Sequence, residues 1–291
     1  MDIALVWCAL ALVCEVVVQC WRYFGALGVV KPFGAYFKTV LRVKLAGFSH
    51  SQGAGMKIVA RTLLGLFAVL LVAMAGLIHM SWAPDLPVEQ LKARWAPEPS
   101  QFIALDGMSV HIRDQGPRDD PSPILLLHGT SASLHTWEGW AKALEAERRV
   151  ISVDMPGFGL TGPFPDGDYR IEHYVTFVTA LLDQLGVQQV VLAGNSLGGQ
   201  IAWETALAKP LRVNGLILVD SAGLPLQSTS VPIGFKLAKI PLLAPLMTNL
   251  LPRSMIEASV QSVYGNPALV TDELVERYYQ LTLREGNRAA L

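Results

Sequence analysis

The feature that most constrains this chain is one long uncharged apolar run. Residues 62–82 read TLLGLFAVLLVAMAGLIHMSW, 21 residues without an acidic, lysine or arginine side chain. A helix of this length, which rises 1.5 Å per residue, spans a hydrocarbon core of about 30 Å. Lys57 and Arg61 precede the run and Trp82 closes it, as is typical of membrane interfaces. The run therefore predicts a transmembrane signal-anchor helix over residues 56–83, with a buried core helix as the less favoured alternative.

The segment that precedes this run carries an unbalanced positive charge. A weaker apolar stretch covers residues 3–20 and contains Glu15, which disfavours a membrane position. Residues 21–61 hold seven lysines and arginines and no acid, a pattern that marks the cytoplasmic side of a membrane. Whether the chain crosses a bacterial inner membrane once or twice, residues 84–291 are then expected on the non-cytoplasmic side.

Met56 offers a second reading of the N-terminal part. The sequence from Met56 resembles the start of a signal peptide, and residues 73–75 read Ala-Met-Ala, a possible cleavage site. The apolar run continues past this point, so an uncleaved anchor is the preferred interpretation. It stays open whether residues 1–55, an N-terminal extension, belong to the native protein.

Composition and charge exclude several function classes. The chain is 52% hydrophobic and only 16% charged, against roughly 25% charged in an average soluble chain, which excludes a disordered protein. The net charge of −1 gives no basic field for a nucleic acid partner. All three cysteines lie in the first 20 residues, and the histidines lack metal-ligand spacing. Neither a metal nor a cofactor is expected.

Residues 101–223 alternate between short apolar runs and helical patterns. This alternation indicates a doubly wound, mostly parallel sheet. Residues 84–100 are proline-rich and predict a linker with a short helix over Val88–Trp95, and residues 224–291 predict a helical cap that is incomplete. The predicted strands are 101–105, 109–113, 123–127, 150–153, 189–193 and 215–220, and the predicted helices are 134–147, 171–185, 197–208, 237–250 and 272–290.

The sequence Gly-Asn-Ser-Leu-Gly at residues 194–198 carries the strongest chemical signal. It follows the apolar strand VVLA and opens a helical pattern. A sharp turn between strand and helix needs small flanking residues and presents the serine hydroxyl clear of the sheet. Ser196 is therefore the predicted nucleophile, and a plain glycine-rich turn is the alternative.

A second motif, His128-Gly129-Thr130, follows the strand ILLL. In this position the loop supplies a backbone N–H to an oxyanion hole, so Thr130 and Leu197, the residue after the nucleophile, are the predicted donors. His128 is expected to be structural. Residues 154–159 form a further Gly/Pro turn, which is expected to shape the rim of the pocket.

The motifs HGT, DMPGFGLTGP, GNSLGG and LILVDSAG together resemble the α/β-hydrolase superfamily over residues 84–291. The chain looks most like bacterial membrane-anchored serine hydrolases. The resemblance implies an α/β-hydrolase fold with a helical cap after the sixth of eight strands, six of which are present. It also implies a catalytic triad in the order serine, acid, histidine.

The histidines depart from that order because none follows Ser196. A fragment of a longer enzyme is the preferred explanation, and a naturally shortened pseudoenzyme is the alternative. Asp220 is a possible acid, although a turn-forming role at the strand end is favoured. His135 and His173 are upstream candidates for a base, and His173 is expected instead to cap a helix. Without a placed histidine, little turnover is expected from this chain.

A serine nucleophile indicates acyl transfer and argues against the aspartate-dependent dehalogenases and epoxide hydrolases of this fold. The expected function is a carboxylesterase- or lipase-like hydrolase, acting on a small-molecule or lipidic ester at the membrane. A C–C bond hydrolase, a cofactor-free haloperoxidase and a catalytically dead, membrane-tethered binding module remain alternatives.

Overall fold

The computed structural model describes residues 54–224 and 249–290, with side chains from residue 61 onward. It divides the chain into two compact units, with the boundary between Met80 and Ser81. The weak apolar stretch at residues 3–20 and nearly all of the helix predicted at 237–250 lie outside the described residues.

Helix α1, Ala54–Ser81, is 28 residues long, and all of it but Ser81 belongs to the first unit. Its portion Arg61–Ser81 has a mean hydropathy of 2.4, and none of that portion is buried. By length and composition this helix is able to cross a membrane, and the transmembrane anchor over residues 56–83 stays a prediction.

The second unit is built on a six-stranded sheet in the order β1-β2-β4-β3-β5-β6. Asp106 and Gly107, both with positive φ, form the turn of the β1–β2 hairpin. Strands β1 and β2 are antiparallel to their neighbours, and the remaining pairs are parallel. The predicted doubly wound, mostly parallel sheet is confirmed. The strands are β1 Ser100–Leu105, β2 Met108–Gln115, β3 Ile124–Leu127, β4 Val150–Val153, β5 Val190–Asn195 and β6 Val213–Val219.

Helices cover both faces of this sheet. Leu125 and Leu127 of β3 pack on one face in a cluster with α4 (Ile171–Gln184) and α5 (Leu197–Ala208), whereas Leu126 packs on the opposite face with α3 (Glu138–Leu144). Every residue of β3 and β4 is buried, because both faces of a central parallel strand are covered. The continuous apolar runs at these positions follow from that burial.

The region predicted as a helix over residues 134–147 is divided in the structure. A 3₁₀ turn, Leu134–Trp137, precedes the short helix α3. The helix predicted at 171–185 ends as expected, since Gly186 has φ of 65° and donates its N–H to the Asp183 carbonyl.

The segment 84–100 is packed into the domain rather than free of it. Its helix α2, Val88–Trp95, buries Leu91 and Trp95 in a cluster with Leu160 and Leu281. Backbone hydrogen bonds also join Leu86 to residues 283 and 285. The expected linker is therefore a structural part of the second unit.

Beyond the sheet, the described residues are helical, and the helix predicted at 272–290 is interrupted. Helix α6 is Arg253–Val263, and helix α7 is Asp272–Thr282. The chain then turns through Gly286, whose φ is 87°, before the 3₁₀ helix Asn287–Ala290. Helix α7 ends before this glycine, at the C-cap residue Leu283.

Candidate active site

Ser196 lies in the sharp turn that joins β5 to α5. Its backbone has φ of 51° and ψ of −116°, a conformation that non-glycine residues rarely adopt. The chain that leaves β6 holds this conformation from both sides, because Ser196 donates its N–H to the Val219 carbonyl at 3.1 Å and accepts the Ala222 N–H at 2.9 Å. Strain of this kind persists only where the surroundings impose it and is concentrated at functional sites.

Gly198 allows the start of α5 to pack directly on the end of β3. A Cβ atom at this position would collide with the backbone carbonyls of Leu127 and His128. The second glycine of the G-x-S-x-G motif is therefore required by the close approach of two backbones.

The loop after β3 lies against the serine. A Cβ built on Gly129 would be 3.2 Å from Ser196 Cβ and 2.9 Å from Asn195 Oδ1. Among the residues that the structure describes, neither the Thr130 N–H nor the Leu197 N–H is paired with an acceptor. Leu197 is the first residue of α5, where helical N–H groups are left without intrahelical partners. The two predicted oxyanion donors are thus on segments adjacent to Ser196, and their role in an oxyanion hole stays a prediction.

His128 is buried, and both of its ring nitrogens are engaged. Nδ1 donates to the Gly129 carbonyl at 2.8 Å, and Nε2 accepts the Met155 N–H at 3.0 Å. Burial lowers the pKa of His128, an effect that the nearby Asp154 charge partly opposes. The His128 imidazole is therefore neutral and joins the loop after β3 to the segment after β4, in line with the structural role predicted for it.

The two upstream candidates for a base are bonded elsewhere. His135 is buried and donates from Nε2 to the Trp95 carbonyl at 2.9 Å, while Nδ1 pairs with the Ser133 hydroxyl at 2.9 Å. Burial lowers the pKa of His135 to about 4. His173 lies in the first turn of α4, 3.7 Å from Asp166 and in edge contact with Phe164. The structure brings neither imidazole to Ser196.

Asp154 is a buried anion that organises the loops around the site. Its Oδ1 accepts the Leu134 N–H at 2.7 Å, and its Oδ2 accepts the Leu160 N–H at 2.8 Å and His111 Nδ1 at 2.7 Å. Burial alone would raise the pKa of Asp154, but the interactions with His111, together with the nearby imidazoles, hold it well below its usual range. The sequence predicted for Asp154 only a place in a turn at the rim of the pocket. An acid directly after a buried strand was the available signal.

Asp220 follows the last residue of β6. It is exposed, and its φ of 45° is left-handed, as in a turn-forming residue. The preceding carbonyl, that of Val219, accepts the Ser196 N–H and Asn195 Nδ2, so Asp220 is in a segment bonded to the turn that carries the nucleophile. Its role as an acid stays a prediction.

The turn at residues 157–159 lines a small cavity together with residues of the loop after β3 and of the end of α7. This places the Gly/Pro turn beside a cavity, close to the part of the loop that supports the proposed oxyanion donors.

Comparisons with known proteins agree with the fold. Residues 122–263 match the alpha/beta hydrolase fold family. The chain is 32% identical over 194 residues to a 2-hydroxymuconate semialdehyde hydrolase of Pseudomonas sp. strain CF600, covering 66% of this chain and 64% of that protein. A protein of the same name from Pseudomonas putida is 33% identical over 193 residues, with the same coverage. The chain therefore spans slightly less than two thirds of the length of these relatives.

Solved structures show the same fold. A meta-cleavage product hydrolase from Pseudomonas fluorescens IP01 superposes with a TM-score of 0.54 and 25% identity, covering 65% of this chain and 66% of that chain. Cfl2 from Burkholderia cenocepacia superposes with a TM-score of 0.55 at 24% identity, covering 66% of this chain and 68% of that chain. From its sheet topology and these similarities, the chain has an alpha/beta hydrolase fold.

Proposed function

We propose that this chain is the nucleophile-bearing part of a membrane-anchored serine hydrolase that cleaves an ester through an acyl-enzyme at Ser196. The observation that carries the proposal is the strained turn at Ser196 beside two backbone N–H groups that pair with no acceptor within residues 54–224 and 249–290. A strained backbone with open donors is costly for a purely structural turn and is suited to a nucleophile with an oxyanion hole.

In the proposed reaction, Ser196 Oγ attacks the ester carbonyl carbon while a base takes its proton. The carbonyl oxygen gains negative charge and accepts hydrogen bonds from the N–H groups of Thr130 and Leu197. The C–O bond then breaks, and the leaving alcohol receives the proton. Water, deprotonated by the same base, attacks the acyl-enzyme and releases the carboxylic acid and the free serine.

The proposal requires a base that the described residues do not place at the serine. His128 and His135 use both ring nitrogens in other hydrogen bonds. His111 donates from Nδ1 to Asp154, and although its Nε2 has no partner among the described residues, no described contact joins it to Ser196. We therefore propose that the catalytic histidine is contributed by residues outside the described part of the chain. Asp220 is retained as a candidate acid.

A C–C bond hydrolase is the second candidate, and a specific observation favours it. Two of the relatives found by sequence are named 2-hydroxymuconate semialdehyde hydrolases, and a solved relative is named a meta-cleavage product hydrolase. Parallel assays with an ester series and with 2-hydroxymuconate semialdehyde separate the two candidates. Cleavage of the semialdehyde without ester turnover would replace the ester proposal.

The membrane position is also a proposal, supported by the length and apolar character of α1. We propose that α1 anchors the hydrolase domain on the non-cytoplasmic side of a bacterial inner membrane, where small-molecule or lipidic esters are accessible. Protease digestion of sealed, right-side-out vesicles tests this, because the domain should be cleaved only if it is on the outer face.

An activity-based probe tests the nucleophile. A fluorophosphonate applied to native membranes should label the protein on the peptide that contains Ser196, and Ser196→Ala should abolish the label. Ser262→Ala, on the exposed face of α6, is the matched control and should retain it. Absence of labelling in the native membrane would favour a binding module without catalysis.

A further inference from the structure

The residues at the end of α1 pair with the segment that leads into α6. Trp82 and Leu250 form an antiparallel bridge. The Leu251 N–H donates at 3.0 Å to the carbonyl of Ser81, the last residue of α1. Because paired strands lie about 4.8 Å apart, Leu250 and Leu251 lie beside the end of α1.

Helix α6 begins directly after this pairing. Its first residue, Arg253, is two positions beyond Leu251, and two residues of extended chain reach at most about 7 Å. If α1 crosses a membrane, as proposed, Trp82 marks the interface where the span ends, since tryptophan is enriched at that level. The start of α6 is then held close to the same interface by the chain itself.

The surface that α6 exposes from this point onward is uncharged. Residues 258–271 contain no acidic, basic or histidine side chain, against roughly 25% charged residues in an average soluble chain. The exposed residues of the range 254–269, named here the α6 face, are all uncharged. They include Met255, Val263 and Leu269, which are 40%, 73% and 64% exposed.

The charged residues of α6 are engaged at its contact with α7. Arg253 lies 3.3 Å from both Glu276 and Asp272 of α7, and Glu257 lies 3.8 Å from Arg253. Arg253 and Glu257 are both partly buried. Ion pairing therefore keeps the charge of this helix away from the α6 face.

Polar groups of the α6 face are hydrogen-bonded within it. The Ser262 hydroxyl donates to the Ser259 carbonyl at 2.7 Å, and Asn266 Oδ1 accepts the Ala268 N–H at 3.0 Å. Removing a polar group from water costs less when the group keeps a hydrogen bond. An uncharged face whose polar groups are paired in this way is suited to the boundary between lipid headgroups and acyl chains.

We propose that the α6 face docks on the bilayer surface beside the anchor. An interfacial helix lies in the membrane plane with its apolar face about 5–10 Å into the boundary between headgroups and acyl chains. Because the α6 face has no lysine or arginine, the docking requires no anionic lipid. The inference rests on the proposed membrane anchor and deepens it, since a hydrolase that touches the bilayer through α6 receives lipidic esters from that side.

Depth-dependent quenching of fluorescence tests the docking in the full chain. The native cysteines are first removed by Cys8→Ser, Cys14→Ser and Cys20→Ser. Single cysteines from Val263→Cys or Leu269→Cys are labelled with the fluorophore NBD, and the protein is reconstituted into phosphatidylcholine vesicles that contain nitroxide lipids. We expect both labels to lose fluorescence, and to lose more when the nitroxide is near the headgroup than when it is deep in the acyl chains.

Two further labels separate the possible failures. Leu70→Cys, near the middle of the apolar portion of α1, should be quenched most by the deep nitroxide. Leu211→Cys is at an exposed leucine before β6, at the end of the sheet opposite Ser196, and should not be quenched. Quenching at Leu70 without quenching at Val263 or Leu269 would overturn the docking and leave the anchor standing.

The other outcomes are equally distinct. If the labels at Val263 and Leu269 are quenched but the label at Leu70 is not, the anchor proposal fails and the α6 face still stands as a membrane-binding surface. If the label at Leu211 is quenched as strongly as the other two, the domain adsorbs without a preferred face and the inference is overturned.

Charge substitutions test the α6 face itself. Val263→Glu combined with Leu269→Glu, followed by a label at Met255→Cys, should reduce the quenching because a carboxylate is costly to remove from water. Leu207→Glu combined with Leu211→Glu is the matched control, since both leucines are exposed, and it should leave the quenching unchanged. Circular dichroism melts should show that both double variants fold. Equal quenching in the two variants would contradict the docking of this face.

Discussion

The Asp154 carboxylate accepts the Leu134 N–H at 2.7 Å and so ties the end of β4 to the segment that follows the proposed oxyanion loop. The same carboxylate accepts the Leu160 N–H and a His111 ring nitrogen. One buried charge therefore sets the positions of three segments that surround the candidate site.

Neutralising this charge should destabilise the domain. In Asp154→Asn, the amide nitrogen would face N–H donors that now bond a carboxylate oxygen, so we expect the free energy of unfolding to fall by about 2–4 kcal/mol. Denaturant unfolding followed by tryptophan fluorescence measures this. Asp119→Asn, at an exposed position, is the control and should change stability little. Equal stability of the two variants would contradict the role of Asp154.

Two buried histidines should make stability depend on pH. Burial lowers the pKa of His135 to about 4 and also lowers that of His128, whereas an unfolded histidine titrates near 6.5. Between about 6.5 and 4 the unfolded state binds more protons at His135, so stability should fall as pH drops over this range, by up to about 1.4 kcal/mol per pH unit for this histidine, and His128 acts in the same direction.

The variant His135→Gln tests this dependence. It should flatten the decrease over the same pH range, and His173→Gln, at a partly exposed position, should not. Asp154 contributes in a lower window, because its depressed pKa keeps its stabilisation intact until the pH falls below about 4. A wild-type stability that is constant from pH 6.5 to 4 would contradict the prediction.

A methyl group at the second motif glycine should be incompatible with the packing. In Gly198→Ala the new Cβ would collide with rigid backbone on β3, so we expect a loss of at least about 2 kcal/mol of stability or a failure to fold. Gly139→Ala is a matched control on helix α3. Its Cβ meets no atom within 4 Å, and the change should stabilise by about 0.5–1 kcal/mol. Circular dichroism melts of the two variants give the comparison.

The chain of 291 residues should hydrolyse simple esters poorly. None of its described histidines contacts Ser196, and an unassisted serine hydroxyl is a weak nucleophile near neutral pH. With a p-nitrophenyl ester of short acyl length, we expect release of nitrophenol at the rate of the buffer. A rate above background that disappears in Ser196→Ala would show that a base is present after all.

Much of the fold follows from local sequence patterns. Strand β4 and helix α5 have the bounds that the apolar pattern predicts, because a buried central strand is continuously apolar and the G-x-S-x-G turn marks where the helix begins. The helix over residues 134–147 was predicted too long. Its first turn is 3₁₀, and the Asp154 carboxylate that receives the Leu134 N–H is 20 residues away.

The site was predictable only in part for the same reason. Ser196 and the loop beside it are carried by short motifs, and their adjacency follows from neighbouring parallel strands. The contact between Asn287 and the Gly159 carbonyl joins residues 128 positions apart and leaves no local signal. Pairings of this kind are set by the packing of α7 and the segment after it on the rest of the domain.

The two occupied nitrogens of His128 determine how enzyme kinetics on this protein should be interpreted. The His128 imidazole cannot take up a proton without losing the hydrogen bond that its Nε2 accepts from the Met155 N–H. His128, which holds the proposed oxyanion loop, is therefore not expected to gain a proton in the pH range where catalytic histidines titrate. The rising limb of a pH–rate curve for the active enzyme would then report the imidazole that activates Ser196. Its midpoint would give the pKa of that imidazole.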